Sequence, residues 1–265
     1  MSPSSLTVEH QRGVAWLRLN RPQALNSLSP ELIKELAEAL RAIEDDKTIR
    51  ACVLASTGRA FSTGGDLKAL DAFAKSGESA GALTAAYMES ISTTLRKLEV
   101  LRVPTIAAVN GMALAGGLEI ALCCDIVVAV EEAMFGDGHA KYGLLPGGGG
   151  SVRLPRKIGV NRAKYLMLTG QNVTARTMME WGLVSEIHPA DQLEHRTREI
   201  AEVIAQNSPL GMRRMKQLVD DGLQHAVDVA LKAEQAVVAV HNFSGDRNEG
   251  LSAFRERRRP VFVGS

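Results

Sequence analysis

The stretch Val103–Val130 is the most apolar part of the chain, and by length alone it could cross a bilayer. It also carries Asn110, Glu119 and Asp125, together with Pro104 and several glycines. Carboxylates are costly inside hydrocarbon, and Asn110-Gly111 and Gly116-Gly117 cut the stretch into separate pieces. The pieces are a buried strand from Pro104 to Val109, a turn, a helix from Gly116 through Cys123, and a second strand from Asp125 to Val130. Strands linked by single helices place this stretch in the interior of an α/β protein with largely parallel sheets.

The flanking sequence agrees with that interior. Val14 to Leu19 alternates apolar and polar residues and ends at Asn20-Arg21-Pro22, as a strand running into a loop does. Ser29-Pro30-Glu31 is a helix start, and Leu32, Ile33, Leu36, Leu40 and Ile43 then share one face. Ala51 to Ala55 forms a short buried strand before a glycine-rich loop at Gly58 to Gly65. A helix over Leu83 to Leu98 is predicted, preceded by a mobile Ala/Gly/Ser-rich flap at Leu70 to Thr84. Beyond Pro146 nearly everything is helical, with one short strand at Leu183 to Ile187. The pattern places an α/β core over residues 1–190 and a helical region over 191–265, with no linker between them.

Composition narrows the function classes. With 265 residues, 45% hydrophobic and 23% charged, the chain can bury a substantial core. A formal net charge of +1 creates no overall field to gather nucleic acid or an anionic membrane, so any bound anion needs a local site. Met1 to Glu9 lacks the basic start and apolar run of a secretory signal. Cys52, Cys123 and Cys124 are odd in number and lack zinc spacing, which favours buried thiols in a reducing compartment; the expected location is the cytoplasm.

The strongest local signal for chemistry is Ala115-Gly116-Gly117-Leu118-Glu119 at a helix start. Paired glycines admit a ligand close to the backbone, and the first helical N–H groups have no partner within the helix. They can therefore donate to an oxygen that gains negative charge. Glu119 lies three residues beyond Gly116 on the same face. Tight helix packing at the glycines and a buried ion pair at Glu119 account for this segment equally well. Ala60-Phe61-Ser62-Thr63-Gly64-Gly65-Asp66-Leu67-Lys68 is a second small-residue loop that can present N–H groups, although alone it has the character of a surface turn. The run Gly147 to Gly150 is explained as well by a hinge.

In order along the chain stand the Phe61–Lys68 loop, Pro104 to Gly111, Gly116-Gly117-Leu118-Glu119, Cys124-Asp125-Ile126, Phe135-Gly136, Gly143-Leu144-Leu145-Pro146-Gly147, and Arg247 to Phe254. This series closely resembles the enoyl-CoA hydratase/isomerase (crotonase) superfamily from about Val14 to the C-terminus. The resemblance implies a spiral of ββα units and a C-terminal helical region that assembles homotrimers, often paired into hexamers. It implies an acyl-CoA thioester substrate, with backbone N–H groups of Gly65 and Gly116 forming an oxyanion hole and Glu119 as the catalytic carboxylate. Arg21, Gln23, Ala24 and Leu25 would line the coenzyme A site, with Ala60, Asp66, Leu67 and Lys68 completing it. In that role Asp66 fixes the loop and Lys68 approaches the phosphates. No metal or redox cofactor is expected, since coenzyme A arrives as part of the substrate.

Hydratases of the family carry two glutamates. Glu119 matches the first, and His139 stands at the second. A histidine can hold water or move a proton near neutrality but cannot supply a carboxylate charge. Asp137, two residues before it, is close enough to orient His139, but a loop-surface carboxylate is the expected role. Hydration of a trans-2-enoyl-CoA is the first expectation. A Δ3/Δ2-enoyl-CoA isomerase, another acyl-CoA reaction such as decarboxylation or hydrolysis, and a non-catalytic acyl-CoA binder are the alternatives.

Overall fold

A computed structural model describes residues 4–265. Strands β1 (Leu6–Gln11) and β2 (Val14–Leu19) form an antiparallel hairpin, and β3 (Ala51–Ser56), β5 (Thr105–Val109), β7 (Ile126–Val130) and β10 (Glu186–His188) extend it. The order is β1-β2-β3-β5-β7-β10, parallel from β2 onward. A second sheet holds the three-residue strands β4 (Ala60–Ser62), β6 (Met112–Leu114), β8 (Met134–Gly136) and β9 (Asn172–Thr174) in that order.

The helices interleave with these strands. Helix α1 (Pro30–Asp45) is capped by Ser29, whose side chain accepts from the Leu32 N–H, and it buries the five predicted apolar residues against the sheet. Each such side chain contributes roughly 1.5–3 kcal/mol by leaving water. Next come α2 (Leu67–Ala74), α3 (Ala80–Glu99), α4 (Gly116–Cys123), α5 (Gly150–Ile158), α6 (Val160–Thr169) and α7 (Ala175–Glu180). All eight residues of α4 are buried, so it lacks the polar face of a surface helix. The chain closes with α8 (Leu193–Gln206), α9 (Pro209–Gly222), α10 (Val227–His241) and α11 (Gly245–Glu256).

One regularity organises the molecule. Strand pairs β3/β4, β5/β6 and β7/β8 each place one strand in each sheet and then lead into helix. Because β4, β6 and β8 are parallel neighbours, their C-terminal ends emerge side by side. Three turns distant in sequence thus meet at one edge: Ser62 to Asp66, Leu114 to Gly116, and Gly136 to Gly149.

Several expectations change. The presumed loop at Gly58–Gly65 contains β4, whose three residues are too few to show alternation. The presumed flap at Leu70–Thr84 is helical: α2, a 3-10 turn at Gly77–Ser79 and the first turn of α3. Its alanines favour helix, and Asp66 caps α2 through the Lys68 and Ala69 N–H groups. Helix α8 packs on β2, β3, β5, β7 and β10, so the division drawn at residue 190 falls before a helix that covers the core sheet. Helix α9 packs on α10 and is tied to the residue before β7 by the Lys216–Asp125 ion pair at 2.9 Å. Among the described residues, no helix is long and apolar enough to cross a membrane.

Candidate active site

The three turns border a cavity of about 1280 Å³. Gly65 lines it from the first turn, Gly116 and Glu119 from the second, and His139 from the third. Gly64 sits at φ +93°, where a side chain would be strained, and a Cβ there would lie 2.7 Å from the Gly116 nitrogen. The first two turns therefore touch backbone to backbone. Neither the Gly65 nor the Gly116 N–H donates a hydrogen bond among the described residues. Ala115, just before Gly116, is held at φ +48° and ψ −117°, a conformation costly for any residue with a Cβ. Its N–H donates to the Gly136 carbonyl at 2.9 Å, and its own carbonyl accepts from Glu119 N–H at 3.0 Å.

The first turn is anchored by a buried network. Asp66 N–H donates to the Tyr87 hydroxyl at 3.0 Å, and that hydroxyl donates to the Leu28 carbonyl. The Asp66 carboxylate accepts from Arg21 at 2.9 Å, and Arg21 also donates to the Ser27 carbonyl and hydroxyl. Burial raises the Asp66 carboxyl, but hydrogen bonds from Arg21 and Ala69 outweigh it and hold the group below its ordinary value. Asp66 and Arg21 thus fasten the loop to the segment that follows β2. Tyr87→Phe should strand the Asp66 amide and the Leu28 carbonyl, costing about 1–3 kcal/mol of stability in a urea titration.

Glu119 is 3% exposed, and its Oε1 accepts from Gly150 N–H at 2.8 Å. Burial pushes its carboxyl above the ordinary value, against the opposing pull of Gly150 N–H and His139. A Cβ on Gly148 would lie 2.6 Å from Oε2, so the glycine run wraps the carboxylate rather than acting as a hinge. The run is latched from behind: Arg153 donates to the Gly148 carbonyl at 2.7 Å and forms a two-pronged pair with Glu99 at 2.7 and 2.8 Å. Burial raises Glu99, yet Arg153 and Arg96 bring it down to about 2.

Asp137 is not at the surface. It is buried beneath His139, with its Oδ1 2.8 Å from Nδ1 and accepting the His139 main-chain N–H at 3.1 Å. Burial lowers the His139 pKa, but the bond to Asp137 and the charges of Asp137 and Glu119 reverse this and raise it. Sequence reasoning placed Asp137 at the surface and left the glycine run as a hinge, because the run's partner Glu119 lies on another element. It also passed over Asn26, whose buried amide takes Arg21 N–H and donates to the Thr57 and Ala60 carbonyls.

Of the remaining candidates, Arg21, Gln23, Ala24, Leu25, Asp66, Leu67 and Lys68 all line the cavity. Ala60 does not. It is buried in β4, paired with Met112, and its carbonyl is taken by Asn26 and Ser56. Apolar lining comes from Leu70, Met88, Ile91, Leu114, Leu144 and Leu145. The cavity therefore joins a polar floor to an apolar wall, as a ligand with a reactive polar centre and a hydrocarbon part requires.

Comparison with known proteins supplies the family. The enoyl-CoA hydratase/isomerase family model matches residues 9–265. The 2,3-dehydroadipyl-CoA hydratase of Escherichia coli is 35% identical over 261 residues, covering 98% of this chain and 99% of that protein. The short-chain-enoyl-CoA hydratase of Clostridium acetobutylicum is 34% identical, covering 98% and 97%. A crystal structure of an enoyl-CoA hydratase from Bacillus anthracis superposes with a TM-score of 0.93 at 37% identity, covering 98% of this chain and all of that one. The chain is an enzyme of the enoyl-CoA hydratase/isomerase family, within the crotonase superfamily.

Proposed function

We propose that the protein adds water across the double bond of a trans-2-enoyl-CoA thioester, with Glu119 as base and His139 as proton donor. The observation that carries this reading is a buried carboxylate of raised pKa sharing one cavity with two unpartnered main-chain amides and an imidazole. In the proposed reaction the thioester oxygen lies against the Gly65 and Gly116 N–H groups. Water attack at C3 moves charge onto that oxygen, and donors already in place stabilise it more in the transition state than in the ground state. Glu119 takes the water proton, and His139 protonates C2. The coenzyme A part is assigned to Arg21, Gln23, Ala24, Leu25, Leu67 and Lys68. Lys68 makes no ion pair within the described residues, which leaves its charge for a phosphate. Arg21 is committed to Asp66, so its contribution is to shape the wall.

Assembly as a homotrimer or a pair of trimers belongs to the same proposal. It is supported by Val227, Val229, Leu231, Val238 and Val240, all exposed along α10. Three buried free thiols fit a reducing compartment such as the cytoplasm.

The test follows the conjugated enoyl absorbance of crotonyl-CoA. Loss of absorbance, with 3-hydroxyacyl-CoA as product, is expected. No loss with crotonyl-CoA, together with conversion of a trans-3-enoyl-CoA to its conjugated isomer, would replace hydration by isomerisation. His139→Ala should lower kcat about 100-fold or more with little change in KM. An unchanged kcat would reduce His139 to part of the wall.

A further inference from the structure

Hydration as proposed uses Glu119, His139 and two amides, and leaves the buried Asp137 carboxylate without a part. A carboxylate can only accept, so the 2.8 Å approach of Oδ1 to His139 Nδ1 requires a proton on Nδ1. The same oxygen accepts the His139 main-chain N–H, which closes a ring between the two residues and opposes rotation of the imidazole. Nε2 is then the nitrogen left to exchange a proton within the cavity, which His139 lines and Asp137 does not.

We propose that Asp137 is a positioning residue that holds the His139 imidazole by Nδ1–H, so that the imidazolium gives its Nε2 proton to C2 of the bound enoyl thioester. This rests on the hydratase reading. The step balances. The water oxygen bonds to C3 as Glu119 takes one of its protons, and the C2–C3 π pair passes to the thioester oxygen. The enolate then collapses as C2 takes the Nε2 proton and the carbonyl reforms. Glu119 is left protonated and His139 neutral, and one proton passing between them through solvent restores both. The imidazole here stands on a carboxylate of its own, so it can be cationic while Glu119 is anionic.

The charged groups about His139 define the pH behaviour. Asp137, Lys141 and Tyr142 lie on its own segment, Glu119 faces it from α4, and Arg21, Asp66, Lys68 and Tyr87 line the same cavity. Helix α6, packed on the His139 turn, carries Arg162, Lys164 and Tyr165. Of these, Asp137 and Glu119 act on the imidazole, and both favour its charged form.

The experiment measures kcat and KM for crotonyl-CoA against pH in four forms: the unaltered enzyme, Asp137→Asn, His139→Glu, and both together. In the enzyme the basic limb of kcat reports loss of the His139 proton. Asp137→Asn should move that limb down by about one pH unit and lower kcat about tenfold at pH 8, with KM nearly unchanged. With His139→Glu, two carboxylates face each other, so adding Asp137→Asn should leave kcat unchanged or raise it. A scaffold role for Asp137 predicts a loss in both backgrounds and an unmoved basic limb, and either result overturns the proposal. If the unaltered enzyme does not hydrate crotonyl-CoA at all, the hydratase reading has failed instead.

Discussion

Glu119→Gln is expected to lower kcat for crotonyl-CoA by about 10²- to 10⁴-fold, the range for losing a positioned acid–base group. The amide oxygen can still accept from Gly150 N–H, which now meets Oε1 at 2.8 Å, so the surrounding loop keeps an anchor. Stability should move the other way. The folded-state pKa of Glu119 lies above 4.5, mainly through burial, so ionisation of this group costs the folded state free energy. That cost is absent well below pH 4.5, where folded and unfolded chains are both protonated. It grows as pH rises from there through the raised folded value, and then stays constant. At pH 7 the glutamine variant should therefore unfold at the same or a higher urea concentration than the parent, with the difference vanishing toward pH 4. Undiminished turnover would remove Glu119 from the base role, and inactivity with a lowered midpoint would make its role one of packing.

The second large effect is expected from one added carbon. A Cβ on Gly117 would lie 2.1 Å from the Ser62 carbonyl oxygen, 2.7 Å from its carbon and 2.9 Å from its Cβ, all far inside contact distance. Main chain cannot yield as a side-chain tip does, so Gly117→Ala must drive α4 and β4 apart. Gly65 follows one of these elements and Gly116 belongs to the other. We expect a loss of about 1–3 kcal/mol in stability from overpacking and, in the molecules still folded, about a 10²- to 10³-fold fall in kcat as one amide leaves the thioester oxygen. Gly81→Ala is the control: nothing lies within 4 Å of its Cβ, and activity should be unchanged. A Gly117→Ala enzyme with parental kcat would mean that the spacing of the two turns does not matter to the reaction.

What could be seen in the chain beforehand was whatever depends on near neighbours. The Ser29-Pro30 start of α1, the division of Val103–Val130 into β5, a turn, α4 and β7, and the closeness of Gly116 to Glu119 follow from spacings of a few residues. The short second sheet was not visible, because three residues carry too little periodicity and their pairing is decided by strands about twenty to fifty positions away. Asp137 was misjudged for the same reason. A carboxylate between two glycines has the composition of an exposed loop, and only the parallel alignment of β8 with β6 turns it inward. Ala60 failed differently. Family likeness transfers a position but not a direction, and in β4 the Ala60 carbonyl and methyl are used within the core.

The peptide between Ala115 and Gly116 has a consequence of its own. Its carbonyl oxygen is gripped by the amide of Glu119, and its nitrogen is the one left free at the cavity. Rotating that plane by half a turn would relax the alanine toward the ordinary left-handed region, but it would also aim the nitrogen away and release the first hydrogen bond of α4. Hole and base are thus geared to one rigid plate. A molecule in which the plate has flipped loses both functions together, so the population of working sites should be all-or-none rather than graded.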